Sequence, residues 1–188
     1  MNAIGRAAIH ATFYPTLGVN RLMCGLRLWR PWDPIDERFL LGSAPRRRDI
    51  PRLAALNVRA VVNLCAEFAG WPRLLAEYGI SQLRLPTLDY HCPSETHLAI
   101  GVRFALEATG AGRVVYAHCK AGRGRSATLA VCYLMAQRGV DAAEAEGLVR
   151  AVRPQVDRGI HARRPVRALQ ERVARGEFAA SAADARER

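Results

Sequence analysis

The sequence predicts an α/β fold in which a central, mostly parallel sheet is flanked by helices. Three observations lead there. Short apolar runs suited to buried strands recur at 39–42, 58–64, 82–85 and 114–117. Segments with helical apolar spacing lie between them. This alternation favours parallel neighbours, because a crossover helix returns the chain to the same end of the sheet. The chain has 188 residues, no internal repeat and no sign of a second domain. That length supports one sizeable core.

The elements follow in order. Residues 1–32 contain no acidic residue and carry Arg6, Arg21, Arg27 and Arg30 among apolar and aromatic side chains. Pro15 breaks any single long helix there. Three readings of this segment stay open: a surface that lies on an anionic membrane, a mitochondrial targeting segment, or structure packed on the core. Residues 29–34 read as a turn-rich link, and 39–42 as a short strand. Asp49, Ile50 and Pro51 start a helix, with Leu53, Ala55 and Leu56 expected to face the core. The valine-rich run 58–64 is the next strand. A helix over 71–78 ends at Gly79, and 82–85 forms the third strand. The loop 86–94 is bounded by prolines. Ser94 caps a helix reaching about Ala108, with Leu98, Val102 and Leu106 on one face. The strand at 114–117 leads into a loop, and a helix opens near Ser126. Asp141 caps another helix, with Leu148 and Val149 inward, which Arg153-Pro154 stops. A last helix runs over 164–174, and the tail from Glu177 is expected to fray.

The chemistry centres on His118-Cys119-Lys120-Ala121-Gly122-Arg123-Gly124-Arg125-Ser126. A cysteine ends a strand, and an arginine and a serine open a helix. The glycines let the chain turn between them. Such a loop points the backbone N–H groups of Lys120, Ala121, Gly122, Arg123 and Gly124 inward, and the helix adds its positive dipole end. The result is an anion cradle. Arg125 closes it with a planar fork that matches two phosphate oxygens. In that positive field Cys119 is expected to be a thiolate nucleophile, with Ser126 donating a hydrogen bond that helps the sulfur leave. His118 either steadies the loop through its ring or is a core histidine.

Cleaving a phosphate ester also needs a proton for the leaving oxygen. Asp89 is the leading acid: it lies just past a strand end, thirty positions before Cys119. Asp157, in the loop after Pro154, is the alternative. The pattern calls for no cofactor and no metal. His10, His91, His97 and His161 show no ligand spacing, and five cysteines without a Cys-x-x-Cys pair suit a reducing compartment better than a disulfide framework. Cys65 and Cys92 are expected in loops near the same sheet edge, where either is a candidate to trap an oxidised Cys119.

The formal net charge is +11, and Lys120 is the only lysine. Such a balance favours polyanions, although a wholesale preference for arginine explains part of it. Nucleic acid is not expected as a partner, for want of a recognised fold signature or an aromatic platform. No run of 18 or more apolar residues is present to span a membrane.

The His-Cys-(five residues)-Arg-Ser loop resembles the signature of the protein tyrosine and dual-specificity phosphatase superfamily. Other stretches narrow this: Phe13-Tyr14-Pro15-Thr16-Leu17, Phe39-Leu40-Leu41-Gly42, Leu85-Pro86-Thr87-Leu88-Asp89-Tyr90 and Val152-Arg153-Pro154. Together they resemble the mitochondrial-type dual-specificity phosphatases that dephosphorylate phosphatidylglycerophosphate. The resemblance implies a dual-specificity phosphatase-like fold and a catalytic domain over 33–175. Before it lies a basic segment, 1–32, partly packed on the fold; after it lies a disordered tail, 176–188. It implies catalytic roles for Cys119, Arg125, Asp89 and Ser126, an anionic phospholipid substrate and peripheral contact with an anionic membrane. The expected place is the cytoplasm or the inner face of a membrane, the mitochondrial inner membrane in a eukaryote. One stretch departs from that family: its acidic run Asn-Glu-Glu-Tyr-Glu is here Cys65-Ala66-Glu67-Phe68-Ala69. Basic Lys120 and Arg123 also resemble the loop of the phosphatase-and-tensin-homologue lipid phosphatase, and suit a substrate with more than one phosphate. A phosphoinositide phosphatase, a protein dual-specificity phosphatase and a catalytically silent phosphate-binding module are the alternatives.

Overall fold

Strands β1 (Trp32–Asp36), β2 (Phe39–Gly42), β3 (Val58–Cys65), β4 (Ser81–Thr87) and β5 (Val114–His118) form one sheet in the order β1-β2-β5-β3-β4. The computed structural model describes residues 15–19, 21–26 and 28–179. Strands β2, β5, β3 and β4 run parallel, and β1 is antiparallel to β2. The mostly parallel sheet expected from the sequence is therefore present. Helices α1 (Ile50–Ala55), α2 (Pro72–Glu77), α3 (Glu95–Gly110), α4 (Arg125–Arg138), α5 (Ala142–Val152) and α6 (Arg164–Ala174) complete the chain order.

The two faces of β5 show how the period-2 pattern builds two cores. Val115 and Ala117 join the larger apolar cluster, with Leu98, Val102 and Leu106 of α3 and Leu129 and Tyr133 of α4. Tyr116 points the other way, into a smaller cluster with Ile50 and Leu53 of α1 and Leu75 of α2. Phe39 stacks on Tyr133 with ring centroids 4.4 Å apart. Ser94 and Asp141 cap their helices as expected, accepting from the N–H of His97 and Glu144 respectively. Each such cap contributes about 1 kcal/mol.

Four local expectations are corrected. Residues 32–36 form edge strand β1 rather than a link. Pro34 hides it in the sequence, but an outer strand tolerates a residue that cannot donate to the ladder. Ala55 and Leu56 face solvent, because α1 is under two turns long and ends at Ala55 before the chain turns. The tail does not fray at Glu177: Phe178 is buried against the larger core, and Glu177 pairs with Arg103 and Arg172. Cys65 is the last residue of β3, not a loop residue. In the N-terminal segment, residues 15–19 and 21–25 are helical and Leu17 is buried in the larger core. Arg6, Arg27, His10, Phe13, Tyr14 and residues 180–188 lie outside the described residues.

The parallel strands bring their carboxyl ends to one edge. Gly42 of β2 and Asn63 of β3 both pair with His118 of β5, and Cys65 of β3 pairs with Thr87 of β4. The segments that leave this edge carry Cys119, Glu67 and Asp89. In open parallel sheets this carboxyl edge is where ligands bind.

Candidate active site

Cys119 follows β5 directly, and the loop after it turns into α4 at Arg125. The turn depends on Gly122, which has φ +69°; a Cβ there would also come within 2.5 Å of the Gly42 carbonyl oxygen. Ser126 Oγ donates to Cys119 Sγ at 3.3 Å. Burial opposes ionisation of the Cys119 thiol. The Arg125 charge, the Ser126 hydroxyl and the N–H groups of Ser126 and Gly122 outweigh it and lower the pKa. Burial pushes the neighbouring His118 down to about 4, so its ring is neutral at neutral pH. His118 Nδ1 lies 3.4 Å from the Cys119 carbonyl, and Nε2 has no partner among the described residues. The loop-holding bond expected of His118 is thus long, and its buried neutral ring fits a core position beside the cradle.

Arg125 is buried and held from three sides. Nη1 donates to Glu67 Oε2 at 2.8 Å and to the Thr87 carbonyl at 2.7 Å, and Nη2 donates to Asp89 Oδ1 at 2.9 Å. Burial works against its charge, but the Cys119 sulfur and the Glu67 carboxylate keep its pKa above the ordinary value. Glu67 also accepts from the Asp89 N–H at 2.6 Å through Oε1. One carboxylate therefore aims the guanidinium and anchors the Asp89 loop. Asn63, wholly buried, shapes the turn that presents Glu67: its Oδ1 accepts from Cys65 N–H and its Nδ2 donates to the Phe68 carbonyl.

Asp89 lies in the same pocket. Its second oxygen receives Lys120 Nζ, which also donates to Thr16 Oγ1 at 2.9 Å and sits 5.0 Å from the Tyr90 ring centroid. Lys120 is thus buried between the cradle, the Asp89 loop and the N-terminal segment. Tyr90 is exposed and has φ +61°, a left-handed conformation uncommon for a non-glycine residue. Such strain gathers at functional loops.

Arg153 supports the cradle from behind. Nε and Nη2 donate to the carbonyls of Gly122 and Ala121 at 2.9 Å each, and Nη1 donates to Asp33 Oδ2 at 2.6 Å. Carbonyls held outward in this way leave the loop's N–H groups turned inward. Arg153 is nearly inaccessible to solvent, so its charge needs the Asp33 partner.

The rim of the cradle is looser. Arg123 is exposed, donates through Nε to the Gln155 carbonyl at 2.8 Å, and lies over the Trp29 ring. Asp157 lines the same pocket and receives Arg163 Nη2 at 3.3 Å. Cys92 lines it too, with its thiol against Arg163. Burial raises the thiols of Cys65 and Cys92, so neither competes with Cys119 as a thiolate. The pocket holds about 640 Å³ and runs from Cys119 past Asp89 and Tyr90 to Thr16, Val19 and Trp29.

The structure brings together Cys119, Arg125, Ser126, Asp89, Lys120 and the loop from Ala121 to Gly124. It adds Glu67 and Arg153, whose parts in the site the sequence reading did not assign. Glu67 had one signal: it alone survives in a stretch where the resembled family carries three carboxylates. Arg153 had a weaker one, as part of a recurring tripeptide read only as a helix stop.

Comparison with known proteins places the chain in a family. A family model described as the Swiss Army Knife protein, DSP-PTPase phosphatase domain, matches residues 35–180. The phosphatidylglycerophosphate phosphatase PTPMT2 of Arabidopsis thaliana is 39% identical over 148 residues, covering 77% of this chain and 65% of that protein. The chain spans less still, 44%, of Arabidopsis PTPMT1. The phosphatidylglycerophosphatase and protein-tyrosine phosphatase 1 of Rattus norvegicus is 40% identical over 133 residues, covering 65% of this chain and 69% of that one. Among solved structures, PTPMT1 in complex with PI(5)P superimposes with a TM-score of 0.69 at 31% identity, over 81% of this chain and 99% of that chain.

Proposed function

The chain belongs to the DSP-PTPase family of cysteine-based phosphatases, and on that premise we propose that it hydrolyses the terminal phosphomonoester of phosphatidylglycerophosphate through a phosphocysteine intermediate. The observation that carries the chemistry is the Cys119 sulfur, lowered in pKa and set in a cradle closed by the Arg125 fork. The names of the relatives support the lipid substrate.

Cys119 Sγ attacks phosphorus in line with the leaving oxygen, forming the S–P bond as the P–O bond breaks. The Asp89 carboxylic acid gives its proton to that oxygen, which departs as an alcohol. Backbone N–H groups and Arg125 stabilise the charge on the phosphoryl oxygens. In the second step water attacks the phosphocysteine, Asp89 takes a proton from it, and the sulfur leaves as a thiolate held by Ser126. Without substrate, Asp89 rests on Arg125 and Lys120. An arriving phosphate dianion competes for both cations and releases the carboxyl to face the leaving group.

The substrate also sets where the pocket must point. Among the described residues no helix is long and apolar enough to cross a membrane. Val19, Leu22, Leu26, Leu28 and Tyr90 are nevertheless exposed, and Val19 and Tyr90 line the pocket itself. Apolar side chains interleaved with Arg21 and Arg30 suit peripheral contact with an anionic bilayer, on the inner face of a membrane. A phosphoinositide is the second reading, favoured by the likeness to a phosphatase solved with PI(5)P.

The test is a panel of phosphatidylglycerophosphate, phosphatidylinositol phosphates, a phosphotyrosine peptide and an aryl phosphate. It is run on the wild type, Cys119→Ser and Asp89→Ala. The wild type is expected to favour phosphatidylglycerophosphate, and Cys119→Ser to lose turnover on every substrate. Asp89→Ala is expected to lose about 10² to 10⁴ in rate on the lipid and less on the aryl phosphate, whose leaving group needs little protonation. Preference for the peptide would refute the lipid assignment, and turnover by Cys119→Ser the nucleophile.

A further inference from the structure

The pocket is of a size that takes a whole head group rather than a lone phosphate. Its charges form two sets. In its depth, Lys120 and Arg125 both pair with Asp89, and these cations serve the reacting phosphoryl group. Lys120 is too buried to act as a rim cation. The second set is Arg123, Arg163 and Asp157, which line the same pocket.

Arg163 is anchored to the cradle's own helix. Nη1 donates to Thr128 Oγ1 at 2.6 Å, and Thr128 Oγ1 donates in turn to the Gly124 carbonyl at 2.8 Å. Asp157 lies over Gly124, where a Cβ would come within 2.8 Å of its Oδ2, and its N–H donates to the Arg123 carbonyl. These contacts set the Arg163 guanidinium beside the cradle. Of its two bonds to side-chain oxygens the 3.3 Å bond to Asp157 is the longer, and the Asp157 side chain is 42% exposed. A phosphate oxygen can take over that bond, while the short Thr128 bond keeps the guanidinium in place.

We propose that Arg163, with Arg123 beside it, is a subsite for the phosphodiester of a glycerophospholipid head group whose terminal monoester fills the cradle. This rests on the lipid-phosphate reading above. The two arginines and one aspartate leave a single net positive charge, which matches a diester that carries one negative charge. A guanidinium fork also suits its two free oxygens.

The test uses water-soluble probes: glycerophosphoglycerol phosphate, which carries the monoester and the diester, and glycerol 3-phosphate, which carries the monoester alone. The readout is the ratio of their kcat/KM values. Arg163→Met is expected to lower the ratio at least about tenfold, the worth of a charged hydrogen bond to phosphate. Asp157→Asn, which removes the competing carboxylate, is expected to raise it. Circular dichroism and Tm check that each variant folds. Equal ratios in the wild type and both variants would overturn the subsite, and so would a fall in both variants. A ratio that moves only with an inositol-spaced bisphosphate probe would overturn the glycerol assignment. Failure of the lipid reading is a separate result: it shows as peptide preference in the substrate panel.

Discussion

At Cys119 two opposing effects meet. The residue is 3% exposed, and burial alone would keep its thiol protonated. Arg125, Ser126 and two backbone N–H groups reverse that. Each stabilises the charged form, so removing one must move the pKa back up. Ser126→Ala is therefore expected to shift the pH profile of iodoacetate inactivation to higher pH, with the plateau rate at high pH retained. An unchanged midpoint would show that the hydroxyl contributes nothing to the thiolate. Cys119, Arg125 and Ser126 were legible in the sequence because they sit on one continuous loop, where spacing alone dictates geometry. Asp89 was legible because strand ends in a parallel sheet share an edge. Glu67 and Arg153 were not assigned, because their partners lie far along the chain. Arg125 meets Glu67 across 58 residues, and Arg153 meets Asp33 across 120. Only the strand order brings such residues together, and spacing does not encode it.

Among the elements, the cradle loop depends on supports outside it. The Ala44 N–H donates to the Lys120 carbonyl, Tyr116 donates to the Ser43 carbonyl, and Arg153 grips the next two carbonyls of the loop. The valine-rich strands and the capped helices were readable from period and end signals. Strand β1 was not, since Pro34 and two tryptophans disguise an outer strand as a link. Yet β1 carries Asp33, the counter-charge of Arg153. Arg153→Met leaves that buried carboxylate with only the exposed Arg30 guanidinium at 3.8 Å, and is expected to cost about 3 kcal/mol of stability. The double variant Arg153→Met/Asp33→Leu removes both charges and is expected to recover much of the loss in urea unfolding. Tungstate affinity should stay low in both, because the Ala121 and Gly122 carbonyls are no longer held. Full tungstate binding in the double variant would show that the loop shapes itself.

Over the whole molecule, a net charge of +11 goes with an N-terminal segment that exposes Leu22, Leu26 and Leu28 and reaches the pocket at Thr16, Val19 and Trp29. Each arginine near an anionic bilayer contributes about 1 kcal/mol, screened by salt. Replacing Arg21 and Arg30 by Gln is expected to weaken sedimentation with phosphatidylglycerol-rich vesicles about thirtyfold at low salt. Activity on lipid should fall, and activity on a soluble aryl phosphate should hold. Wild-type protein that ignores such vesicles would make this segment purely structural. The burial of Lys120 has a consequence for handling the protein. Every other basic side chain apart from the histidines is an arginine, so an amine-selective acylating reagent has one side-chain target, and that target lies inside the catalytic pocket. Acylation there erases the one pocket cation whose charge ordinary amine chemistry can remove. An anion seated in the cradle stands in the reagent's path. The rate at which Lys120 itself is acylated, followed by peptide mapping to separate it from any α-amine, thus becomes a gauge of how full the pocket is.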